Sequence, residues 1–328
     1  MDLSTNRLRW TAVAAVVAAV VAPQHLTGAR AAAVPAPQVT CAACILVDDT
    51  GRVLFAHDAD VERPNASTTK MVTALVVMRE SDAEEPVMVS SNAAATGGGG
   101  LDLQPGERYT VGGLLYALLL SSSNDSAVAL AEHVAGSEAA FVERMNALTR
   151  RLGVRHTHFA NAHGLDAPGH YSSARDLARI ATALLRRPVL AEIVATSRTT
   201  IPGPGGSVPL ENRNVLLEGY PGAIGVKTGY TAGAGDTLVA AARRHHRRLI
   251  AVAMGSASAA SDAAALLDYG WARLARGILV AEGDAVGELV FADGSTPVVA
   301  EGTVRGAEHP ERVAITLDAD DAVALPVG

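Results

Sequence analysis

Lysine is nearly absent from this 328-residue chain, which carries two, Lys70 and Lys227, against 25 arginines. The two cations are interchangeable on most solvated surfaces, so a chain biased this far toward arginine keeps lysine where arginine cannot do the chemistry. A guanidinium stays protonated, whereas an ammonium loses its proton when desolvated or crowded by positive charge. Aromatic residues are also scarce, at 4%, and the net charge is −7. With no basic stripe interleaved with aromatics, these scarcities argue against a nucleic-acid partner. The one basic cluster, Arg243-Arg244-His245-His246-Arg247-Arg248, separates the apolar runs TLVAAA and LIAVAMG and is expected to be a solvated hairpin turn.

Only two cysteines occur, Cys41 and Cys44, at the start of a strand-turn-strand pattern. Residues three apart on a strand point to opposite faces, so two small buried thiols are expected, with a disulfide as the alternative. A redox role is disfavoured, because no helix N-terminus follows to activate a thiolate. His156, His158 and His163 fall close together without a carboxylate or cysteine at ligand spacing, and no metal site is expected. The N-terminus places Arg7 and Arg9 before a run of about 13 mostly apolar residues from Trp10, too short to span a bilayer, and then small residues at 29–33. Residues 1–33 are read as a signal peptide and the protein as exported.

Against this background, Lys70 lies three residues after Ser67 in NASTTKMV. On a helix, side chains at i and i+3 share a face, which makes Ser67 a candidate nucleophile and Lys70 its base. The following MVTALVVM is apolar on every side, the pattern of a helix buried within a domain. Ser67 is expected in its first turn, where an unpaired N–H and the helix dipole favour a developing oxyanion. Lys227-Thr228-Gly229 opens an apolar run typical of a buried strand. Between the lysines, Ser122-Ser123-Asn124 joins two apolar stretches; helix capping is the alternative reading there. Ser173, three residues before Asp176, reads as a helix cap.

In the order Ser-x-x-Lys, Ser-x-Asn, Lys-Thr-Gly, these residues resemble the active-site set of penicillin-recognising serine enzymes. The likeness extends to RPNASTTKMVTAL, SSSNDSAVALAEHVAGS, FANAHGLDAPGHYSSARDLARIATALL and NRNVLL, and over about Cys41 to Arg276 the chain looks like the low-molecular-mass D-alanyl-D-alanine carboxypeptidases. The resemblance implies an α+β fold of β-lactamase/transpeptidase type: a central antiparallel sheet flanked by helices, a mostly helical subdomain, and a small β-rich C-terminal region. The implied division is a catalytic domain at 34–276 and a β-rich domain or tail at 277–328.

The resemblance also implies roles. Ser67 would be acylated, with Lys70, crowded by Lys227, taking its proton. Ser122 would relay a proton to the leaving amine, and Asn124 would hold Lys70 and the substrate amide in register. Lys227, Thr228 and Gly229 would bind substrate, with the N–H of Tyr230 as second oxyanion donor and Arg213 facing the substrate's terminal carboxylate. His163 matches a histidine associated with deacylation; a structural loop histidine is the alternative. The implied substrates are peptidoglycan stem peptides, with β-lactam antibiotics as covalent inhibitors and no cofactor.

A class A β-lactamase is the rival enzyme, but FANAHGLDAPGHYSSARDL contains no deacylating glutamate. A non-catalytic penicillin-binding wall protein would show decay of at least one catalytic position, and none is found. Residues 277–328 carry ten acidic residues against two arginines, the wrong charge for anionic lipid, so no C-terminal membrane anchor is expected.

Overall fold

The computed structural model describes residues 34–275 throughout and, beyond them, the backbone of four strands, Ile278–Val280, Ala285–Phe291, Gly294–Val299 and Val304–Arg305. These pair as two antiparallel ribbons, 278–280 with 304–305 and 285–291 with 294–299. The segment read as a signal peptide, 1–33, lies outside the described residues, as does the rest of 277–328.

Alternating small and branched apolar residues build the centre. Strands β1 (Ala43–Asp48), β2 (Val53–His57), β3 (Ala223–Thr231), β4 (Gly235–Arg244) and β5 (Arg247–Ser256) form one antiparallel sheet in the order β2-β1-β5-β4-β3. Side chains alternate between its two faces. Ile45, Val47, Val239, Ala241, Ile250 and Val252 belong to one buried cluster. Their neighbours Cys44, Leu46, Leu238, Ala240, Leu249 and Ala251 belong to a second. Each fully buried Val, Ile or Leu contributes about 1.5–3 kcal/mol relative to exposure, which pins the register.

Six helices position the site: α1 (Lys70–Glu80), α2 (Val111–Tyr116), α3 (Asn124–Ala135), α4 (Glu138–Arg151), α5 (Ala174–Leu185) and α6 (Ala259–Ala275). Helix α6 covers the second cluster through Ala259, Ala263, Leu266 and Leu267, and α5 packs on β1 and β5. Helix α1 is surrounded by α3, α4 and α5, so every residue from Lys70 to Val77 is buried, as its all-round apolar pattern predicts. Ser173 caps α5 by accepting from the Asp176 N–H.

The cysteines depart from expectation: Cys41 and Cys44 form a disulfide. Cys41 lies outside β1, before a bend at Ala42, so the strand's alternation does not govern the pair. Their Cα atoms stand 6.1 Å apart, within bonding range. The basic cluster does form the β4–β5 hairpin, where Arg244 pairs with Arg247 across His245-His246. One of its arginines is packed rather than solvated, because Arg244 lies over the rings of Tyr220 and Trp271 at 5.3 and 5.0 Å.

Candidate active site

Ser67 lies in a 3-10 turn, Ala66–Thr69, that runs straight into α1, one turn earlier than a purely α-helical start. Local hydroxyls lace this turn together. Asn65 Nδ2 donates to Thr68 and Thr69, Thr68 Oγ1 returns a bond to Asn65 O, and Thr69 Oγ1 donates to Ala66 O. Ala66 is held at φ +46, a region alanine rarely adopts, which the surrounding bonds over-determine. His170 supports the turn from outside. Its Nδ1 accepts from Ala160 N–H at 3.1 Å, leaving Nε2 to donate to Thr69 Oγ1 at 2.8 Å. Burial, the first cause, holds this imidazole neutral, down to about 4.

The turn brings Ser67 Oγ to 2.8 Å from Lys70 Nζ. Two carbonyl oxygens complete the amine's surroundings, Asn124 Oδ1 at 2.7 Å and His163 O at 2.6 Å. Lys70 is fully buried, and its ammonium form is held well below the usual lysine range, first by desolvation and then by the charges of Lys227 and Arg213, with Asp125 opposing. A neutral amine has two N–H groups and one lone pair. In that form the two carbonyls would take the N–H groups and the lone pair would be left for Ser67 Oγ.

The Ser122-Ser123-Asn124 segment serves both readings. Helix α2 widens into a π-helical turn at Ala117–Ser121 and stops at Ser122, whose left-handed backbone (φ 64, ψ 34) turns the chain. Ser123 is the cap, accepting from Ser126 N–H, and α3 begins at Asn124. Capping therefore belongs to Ser123 alone, while Ser122 and Asn124 line the same cleft as Ser67.

Strand β3 is one of the two edges of the sheet and forms the cleft's other wall. Gly229 sits where the strand meets the serine turn: a Cβ there would stand 3.0 Å from Ser67 N and 3.1 Å from Ala66 Cβ. Lys227 is buried and donates to Thr228 O at 2.9 Å. Desolvation, then the Arg213 charge, lowers it to about 7. Thr228, Tyr230 and Arg213 line the cleft, a volume of about 410 Å³, and the Tyr230 side chain is 73% exposed at its mouth.

His163 meets the site through its backbone. Its carbonyl holds Lys70, while its ring is absent from the cleft lining. Nδ1 accepts from Leu165 N–H at 3.2 Å, and Nε2 stands 3.6 Å from Glu138, too far for a hydrogen bond. Burial, then Lys70 and His170, keep the ring neutral, down to about 4. Sequence reasoning also missed Asp166, which accepts from Thr231 Oγ1 (2.7 Å) and Gly233 N–H (3.0 Å), tying the histidine loop to the β3–β4 turn. Asp125, buried beside Asn124, was missed as well. Neither lies in the Ser-x-x-Lys, Ser-x-Asn or Lys-Thr-Gly triplets.

A serine and a buried lysine on one turn, a Ser-x-Asn turn facing them and a Lys-Thr-Gly edge strand define a penicillin-recognising serine enzyme. The profile of the D-alanyl-D-alanine carboxypeptidase family matches residues 30–258, and the chain belongs to that family. It is 36% identical over 222 residues to the D-alanyl-D-alanine carboxypeptidase DacF of Bacillus subtilis, a match covering 66% of this chain and 57% of that protein. The chain thus spans little more than half of that relative's length. Among solved structures, the D-alanyl-D-alanine carboxypeptidase of Mycobacterium tuberculosis H37Rv matches with a TM-score of 0.70 at 37% identity, over 74% of this chain and 95% of that one. The Streptomyces K15 DD-transpeptidase matches with a TM-score of 0.69 at 31% identity, over 73% and 99%.

Proposed function

We propose that this protein is a serine-type D-alanyl-D-alanine carboxypeptidase that removes the terminal D-alanine from peptidoglycan stem pentapeptides in cell-wall synthesis and remodelling. The observation that carries this reading is Lys70 Nζ, held between the Asn124 and His163 carbonyl oxygens with Ser67 Oγ at 2.8 Å. As Ser67 Oγ attacks the penultimate D-alanine carbonyl, Lys70 takes its proton. The N–H groups of Ser67 and Tyr230 receive the oxyanion. Ser122 passes a proton to the departing amine, which leaves as D-alanine, and the ester on Ser67 is then hydrolysed. His163 acts here through its carbonyl rather than its ring.

Selectivity for a free C-terminus comes from Lys227, Thr228 and Arg213. An internal peptide bond would leave two cations without an anion, whereas a terminal carboxylate satisfies both. β-Lactam antibiotics present a reactive carbonyl and a carboxylate in a similar relation and acylate Ser67 covalently. Residues 1–33 direct export, so the enzyme works in the cell wall or periplasmic space. Among the described residues no helix is long and apolar enough to cross a membrane. The β-lactamase alternative is not favoured, because residues 159–177 hold no glutamate.

The test is incubation with a stem pentapeptide, following free D-alanine and the tetrapeptide by mass spectrometry. Wild type releases both and Ser67→Ala neither. An intact pentapeptide after prolonged incubation with folded wild type contradicts the proposal.

A further inference from the structure

Asn124 has both ends of its amide engaged. Oδ1 accepts from Lys70 and Nδ2 donates to Gly97 O at 2.9 Å, while its backbone N–H donates to Gly99 O at 3.0 Å. An amide bound at both ends has a single orientation. The acceptors at Gly97 and Gly99 lie on Gly97-Gly98-Gly99-Gly100, a strap with no side chains and with positive φ at Gly98 (+81) and Gly99 (+98). Four glycines in a row have the least intrinsic reason to follow one path.

Asp125 imposes the path. Its buried carboxylate accepts from Leu101 N–H at 2.9 Å and Leu103 N–H at 3.2 Å, just after the strap. On the helix side it accepts from Ser126 N–H at 2.7 Å and from Ser123 Oγ. One side chain thus joins the middle of the Ser-x-Asn segment, the first turn of α3 and the end of the strap. The glycines make the close fit possible: a Cβ at Gly100 would stand 2.4 Å from the carboxylate, and one at Gly98 would stand 2.8 Å from Asn124 Nδ2 and 2.9 Å from Leu165. Gly98 itself lines the cleft.

We propose that Asp125 is a positioning residue for acyl transfer: it straps Gly97–Gly100 across the start of α3, and the strap holds the Asn124 amide facing Lys70 while Gly98 shapes the cleft wall. The inference rests on the Ser67–Lys70 reading given above. The charges facing Lys70 give it a second signature. Lys227 on β3 and Arg213 before it disfavour the ammonium, the rings of His163 and His170 are neutral, and Asp125 is the carboxylate that opposes the cations.

The experiment compares penicillin acylation of Ser67 across pH in wild type, Asp125→Asn, Asp125→Glu and Gly98→Ala. Asparagine keeps the shape but sets an N–H against backbone N–H donors, so the strap loosens and acylation slows by about 10–100-fold. Losing the carboxylate also makes Lys70 easier to deprotonate, so the acid limb of the profile moves to lower pH. Glutamate restores the limb toward its wild-type position. Gly98→Ala leaves the carboxylate in place and slows acylation without moving the limb. Wild-type rate and limb in folded Asp125→Asn overturn the inference while leaving the Ser67 reading intact; absence of acylation in wild type overturns the reading beneath it. Should Asp125→Asn not fold, normal acylation in Gly98→Ala refutes the strap's role.

Discussion

Amidating the C-terminus of the stem peptide removes one charge from the substrate and isolates the contribution of Lys227. Burial, then the Arg213 charge, lowers this lysine to about 7, so near neutrality roughly half of the molecules hold it uncharged. A substrate carboxylate beside it favours the ammonium, and binding the free acid therefore takes up a proton above that pH. With the free acid, kcat/KM should fall toward a tenfold loss per pH unit above about 7. With the amide no such limb is expected from Lys227. Lys227→Ala removes the limb and lowers the free-acid rate toward the amide rate. Removing one partner of a buried charge pair costs about 2–5 kcal/mol, or about 30-fold to several thousand-fold. The lower end applies here, because Arg213 remains and the cleft is open to solvent. The assay is D-alanine release from paired acid and amide peptides between pH 6 and about 9, the range flanking that value. Equal wild-type rates on the two peptides, or the same alkaline limb for both, would refute the assignment of Lys227 to the carboxylate.

Lys70→Arg puts a cation that cannot give up its proton into a fully buried site beside Lys227 and Arg213, so penicillin acylation should be lost and Tm should fall, with circular dichroism reporting whether the fold remains; near-normal acylation by the folded variant would identify another base. His163 and His170 are both lowered from 6.5 to about 4, so between those values the unfolded chain binds protons that the folded chain refuses. Stability is then fully present above about pH 6.5 and falls by about 1.4 kcal/mol per pH unit for each histidine down to about pH 4. Urea unfolding from pH 7 to 4 measures this, and His170→Asn should flatten the slope; a flat wild-type profile contradicts the neutral-histidine assignment. Replacing Cys41 and Cys44 together by serine should cost about 2 kcal/mol, the loop-entropy value for so short a ring, and lower Tm by several degrees. Unchanged Tm would show that the disulfide adds nothing to stability.

The three motifs were legible because their chemistry restricts residue type and their spacing is local. Ser67 and Lys70 must share one turn, and a buried titrating cation must be lysine, which stands out in an arginine-biased chain. The all-round apolar pattern after Lys70 marked a buried helix, and the runs flanking the arginine cluster marked the β4–β5 hairpin. What stayed hidden depends on contacts between distant segments. Gly97–Gly100 reads as a flexible loop until Asp125 is seen to bind the N–H groups that follow it. The His163 carbonyl carries no signal of its own, because every residue has one; only the fold brings it to Lys70. The cysteines were misread because the two-residue period was applied to Cys41, which precedes the strand. Asp166 pairs with Thr231 across 65 positions, beyond any periodic pattern.

The central claim is that Ser67 is the nucleophile, and peptide mapping of the penicillin-treated protein by mass spectrometry tests it most directly. A single penicilloyl adduct on Ser67, absent from Ser67→Ala and Lys70→Arg, is the result the geometry requires. An adduct on any other residue, or none on folded wild type, would contradict it.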